Sequence, residues 1–172
     1  QMQISMNYAK YKQVENSADL TGYEVARKIL DENGLNDLYI VETRGNLTDH
    51  YDPNKKVVRL SSAIYHGSSI ASLAVAAHEC GHAIQDKENY FYMRLRAFIL
   101  PVVNAATSVS YLIIFLGILF QSLNLIWIGI GCVAIGLSFQ IITLPVEINA
   151  SRRAKKEIIN LELAKKEEIS QV

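Results

Sequence analysis

The sequence predicts an α+β membrane protein in three parts. A mainly helical polar domain with a small antiparallel β-sheet occupies residues 1–96, a two-helix transmembrane hairpin 97–146, and an amphipathic tail helix 147–172. Three observations carry this. No Lys, Arg, Asp or Glu stands between Arg96 and Glu147. Two short β-rich runs, Leu38–Glu42 and Lys56–Leu60, lie in the polar part. An Ala-rich segment ends abruptly in His78-Glu79-Cys80-Gly81-His82.

The 17 basic and 17 acidic residues cancel, which argues against a disordered chain and against nucleic-acid binding by bulk charge. Residues 1–16 are polar, with Tyr and Lys, and do not read as a cleavable signal peptide. The first readable helix follows. Thr21-Gly22-Tyr23-Glu24 fits a capping box, Val25, Ala26, Ile29 and Leu30 form an apolar stripe, and Asn33-Gly34 supplies a left-handed stop. The two β-rich runs are joined by Thr43–Lys55, which holds the turn signals Gly45-Asn46 and Asp52-Pro53-Asn54. They read as neighbours in an antiparallel sheet.

A helix over about 69–87 carries the candidate chemistry. His78 and His82 are four apart, so both imidazoles project from one helix face and can reach one metal ion. Glu79 is turned by about 100° and can reach a water beside the metal rather than the metal itself. That is the pattern of zinc-assisted hydrolysis with a carboxylate as general base. It enlists two of the four histidines of the chain.

A catalytic zinc takes a third protein ligand. Asp86 continues the same row, but three side chains at four-residue steps lie in a line and cannot converge from a straight helix. His50 and His66, in or near loops, stay open as candidates. Glu147 is the stronger one: it is the first charge after the apolar block, and a carboxylate there is costly unless something pairs with it. Tyr51, Tyr65 and His66 are candidate oxyanion stabilisers.

Phe98–Phe120 and Leu123–Leu144 are each about 33 Å long as helices, enough to span a hydrocarbon core of about 30 Å. Ala106/Ser110 and Ala134/Ser138 offer small residues for close helix approach. Arg94 and Arg96 precede the hairpin, Arg152, Arg153, Lys155 and Lys156 follow it, and the connecting turn holds no base. The positive-inside rule therefore places both polar parts in the cytoplasm, in a multi-pass protein of the cell membrane. Cys80 and Cys132 lie too differently in this scheme to form a disulfide. The tail residues Ile158, Leu161, Ala164 and Ile169 mark one apolar helix face.

The strings Leu47–Pro53, Val58–Ser61, Ala76–Gln85 and Thr143–Ala154 resemble the YugP-like neutral zinc metallopeptidases of bacterial membranes, distantly similar to HtpX-like and CaaX-type proteases. The resemblance runs from about Leu20 to Ala154. It implies a zincin-like metalloprotease domain, gluzincin-like in its ligands: zinc on His78, His82 and Glu147, and Glu79 as catalytic base. The implied substrates are membrane-associated or misfolded polypeptides, with Val57–Ser61 holding an extended substrate as an added strand. Asn149 stands where the family pattern usually has Asp. Family members usually begin with a further membrane segment and run on past this C-terminus, so the resemblance predicts a chain clipped at both ends. The competing expectation is a non-catalytic zinc-binding membrane scaffold; oligomeric state is not legible in the sequence.

Overall fold

The computed structural model describes residues 11–165 and residue 168. It divides into two compact units, one from residues 1–88 and 149–172, the other from residues 89–148.

The first unit opens with α1 (Gly22–Glu32), and the capping box is present as the sequence predicts. The Glu24 amide donates to Thr21 Oγ1 at 3.3 Å, and the Thr21 amide donates to Glu24 Oε2 at 2.8 Å. Gly34, at φ +63°, turns the chain out of α1 in the left-handed region that glycine tolerates best. Strands β1 (Tyr39–Thr43), β2 (His50–Asp52) and β3 (Val57–Ser61) follow, then the short α2 (Ser62–Tyr65) and α3 (Ile70–Lys87). Ser69 caps α3 by accepting the Ser72 amide at 3.1 Å, which places the start of this helix where the sequence predicts it.

The sheet differs from the expectation. Its order is β1-β3-β2: β1 pairs with β3 in parallel, Tyr39 opposite Val57, and β2 pairs with β3 antiparallel, His50 opposite Arg59. The sheet is therefore mixed. The stretch between the two β-rich runs is not a simple hairpin loop, because it contains β2. A turn held by Asp52 Oδ1, which accepts from the amides of Asn54 and Lys55 at 3.1 and 3.2 Å, folds β2 back on β3. One edge of β3 is thus filled locally, and β1 occupies the other. With both edges taken, β3 cannot add a substrate strand, against the expectation for Val57–Ser61.

Helix α5 (Leu123–Asn160) crosses the unit boundary, and its residues from 149 on belong to the first unit. One buried cluster joins Ile29 and Leu30 of α1, Val58 and Leu60 of β3, Leu73, Cys80 and Ile84 of α3, and Ala154 and Ile158 of α5. Both cysteines are free thiols. The expected second span and tail helix are one uninterrupted helix as far as Asn160, running through Pro145. The chain then leaves the helix at Leu161, and Ile169 lies outside the described residues.

The second unit is a helical hairpin of α4 (Phe91–Leu119) and residues 123–148 of α5. Both helices are long and apolar enough to cross a membrane. Only 17% and 6% of their most apolar stretches is buried, and Phe98, Tyr111 and Ile141 are more than 70% exposed. The turn is closed by the Ser122 amide on the Gly117 carbonyl at 2.8 Å. Small residues stand where the two helices approach, Ser110 on α4 and Gly129 on α5 among them. A β-carbon at Gly129 would stand 3.2 Å from the Ser110 carbonyl oxygen, and Ser110 is fully buried.

Candidate metal centre

The site grows from the second half of α3. Ala76, Ala77, Cys80 and Ala83 turn one face of that helix into the core, and His78 and His82 present their rings together on another, centroids 4.8 Å apart and edge to face. His82 is buried and His78 half-buried. Glu79, between them in sequence, is buried at 8% exposure. Burial pushes its carboxyl above the ordinary glutamate range, and the neighbouring His82 and His78 pull the other way.

The residues of α5 beyond 148 supply the opposite wall. A β-carbon on Gly81 would lie 2.5 Å from the Ala150 carbonyl oxygen, so the absent side chain is what lets α3 and α5 come this close. The approach brings Ser151 Oγ to 3.2 Å from His78 Nδ1. His82 Nδ1 lies 3.0 Å from Oε1 of the fully buried Gln85, whose Nε2 donates to Asn149 Oδ1 at 2.9 Å.

Glu147 is one helical turn ahead of Ser151 on the same unbroken helix. Its Oε1 accepts from Arg96 Nη1 at 3.1 Å. Among the described residues, His78, His82 and Glu147 form a group in which one ligand atom from each lies within 4.8 Å of the others. Two imidazoles and a carboxylate are a zinc donor set. On a tetrahedral ion with bonds of about 2.1 Å such atoms would stand about 3.4 Å apart. The residues present fit zinc.

The other candidates lie elsewhere. Asp86 accepts from the Tyr51 hydroxyl at 2.9 Å, which turns both groups toward each other and, with burial, raises the Tyr51 phenol. His50 Nδ1 meets the Thr48 carbonyl at 2.8 Å, and His66 Nε2 meets Glu42 at 3.3 Å. Tyr65 packs against Tyr23 with ring centroids 5.0 Å apart. Sequence reasoning did not single out Gln85, Ser151 or Arg96 as parts of the surroundings. Gln85 and Ser151 left a trace, since both lie in the strings that carry the family resemblance, and Gln85 is a polar residue on an otherwise apolar stretch of α3.

His78, His82 and Glu147 make a group that could hold a metal ion. Residues 1–172 match the family described as "putative neutral zinc metallopeptidase", and the chain belongs to that family. It is 51% identical over 160 residues to the "Putative membrane protease YugP" of Bacillus subtilis (strain 168), covering 93% of this chain and 71% of that protein. No solved structure matches.

Proposed function

We propose that the protein is a membrane-embedded zinc endopeptidase that cleaves membrane-associated or misfolded polypeptides on the cytoplasmic side. The observation that carries the reading is the convergence of His78, His82 and Glu147 beside the buried carboxylate of Glu79. Zinc, when bound, supplies a Lewis acid for the scissile carbonyl and lowers the pKa of water toward neutrality. His78, His82 and Glu147 hold the ion and leave a position open to substrate. Glu79 takes the proton of the attacking water and returns it to the leaving amine nitrogen.

Strand β2 replaces β3 as the strand that receives an extended peptide. It is an edge of the sheet and packs against α3, the helix that carries Glu79. The Tyr51 hydroxyl is committed to Asp86, which leaves it poorly placed to serve a developing oxyanion.

The variant Glu79→Gln tests the reading in detergent or lipid. Zinc content should match that of the parent chain while cleavage of casein falls by several orders of magnitude. Equal cleavage by parent and variant sinks the base assignment. A parent that binds zinc but cuts neither casein nor a membrane-anchored substrate favours the zinc-binding scaffold instead.

A further inference from the structure

A histidine that binds a metal through one ring nitrogen must carry its hydrogen on the other, and its surroundings decide which is which. Around His82 that decision is traceable. Its Nδ1 is 3.0 Å from Gln85 Oε1, and Gln85 Nε2 donates to Asn149 Oδ1 at 2.9 Å. The same Oδ1 accepts from Arg153 Nε at 2.7 Å, and Arg153 Nη2 lies 2.7 Å from Glu88 Oε2.

This series has one polarity. A guanidinium only donates, so the Asn149 atom that faces Arg153 must be the oxygen. Facing that oxygen, Gln85 must present its amide hydrogens. Its carbonyl oxygen is then turned to His82, and the hydrogen of the pair must sit on Nδ1. Nε2 keeps the lone pair. Glu88 steadies the donor at the far end, and Arg153 holds the Glu88 carboxyl below the ordinary glutamate range.

We propose that Arg153 and Asn149, acting through Gln85, are positioning residues that set the tautomer of His82 and so keep its Nε2 ready for the metal. The proposal rests on the reading of His82 as a zinc ligand. It gives three residues that touch neither metal nor substrate a defined effect on the site.

The test uses the 172-residue chain in lipid nanodiscs with nitrogen-15 histidine. The His82 tautomer is read by NMR in the zinc-free protein, and zinc affinity by competition with a chromophoric chelator. The parent should show His82 with its hydrogen on Nδ1. Gln85→Leu and Arg153→Met should each give a mixture of tautomers and weaken zinc by about 10–100-fold. A carboxylate only accepts, so Asn149→Asp holds the polarity of Gln85 without an arginine. The double variant Asn149→Asp/Arg153→Met should therefore regain the Nδ1–H tautomer and most of the lost affinity.

If Arg153 merely props up the fold, the double variant will bind no better than Arg153→Met, and that result overturns the proposal. An unchanged tautomer in Gln85→Leu overturns it too. Failure of the underlying reading looks different: His82→Ala would bind zinc as tightly as the parent, and the ligand on which the proposal stands would be gone.

Discussion

Thr21 and Glu24 show how much one pair of side chains decides. The Thr21 amide, and then its hydroxyl, hold the Glu24 carboxyl below the ordinary glutamate range. A carboxylate whose pKa is lowered on folding stabilises the fold above its unfolded pKa, and that contribution is lost as pH falls through the lowered value. Thr21→Ala removes the hydroxyl cap and should cost about 1 kcal/mol near neutral pH. Thermal unfolding across the acid range should show the gap between parent and variant narrowing as Glu24 takes up its proton. A gap that stays constant with pH would separate Glu24 from the cap. At the metal site the same scale matters in another way. Glu79 is buried, and burial raises its carboxyl while the neighbouring His82 and His78 lower it.

At the scale of elements α3 and α5 approach closely at Gly81 and Ala150. Gly81→Ala would drive a methyl group against the Ala150 carbonyl, which is backbone and cannot rotate away. The expected cost is about 1–3 kcal/mol, with weaker zinc binding because Ser151 and Asn149 move off His78 and Gln85. Calorimetry with a zinc titration checks both; a variant that loses neither stability nor zinc would mean that the helices are not held together at Gly81. Elements set by local signals were legible in the sequence: the capping box and glycine stop of α1, the Ser69 cap of α3, and the helical spacing of His78 and His82. The sheet was legible only in part. Strand β2 is three residues long and only Tyr51 among His50, Tyr51 and Asp52 favours strand, so no pattern announced it, and without it the two longer runs read as antiparallel partners. The charge at Glu147 suggested an element boundary where none exists. Charge marks where solvent begins, whereas helix continuity depends on backbone hydrogen bonds that continue to Asn160. The hydrogen-bonded surroundings of the histidines were hidden because they join residues more than 60 apart in sequence, as in Gln85 to Asn149.

For the whole molecule the zero net charge is a sum over unlike parts. Residues 1–96 carry 11 basic and 12 acidic side chains, residues 147–172 carry 6 and 5, and the hairpin between them carries none. Phe98, Tyr111, Trp127 and Ile141 are exposed on helices long and apolar enough to cross a membrane, as the proposed membrane-embedded peptidase requires. The chain should accordingly stay with membranes through high salt and alkaline carbonate and leave them only with detergent; release by carbonate alone would contradict a spanning hairpin. The central claim, that two histidines from one helix and a glutamate from another make one zinc site, is tested most directly by zinc binding to the parent chain and to Glu147→Ala side by side. One zinc per parent chain is the expected result, with affinity in the variant falling by more than the roughly 10–100-fold typical of a supporting residue. Equal stoichiometry and affinity in the two proteins would contradict the site and turn attention back to His50 and His66.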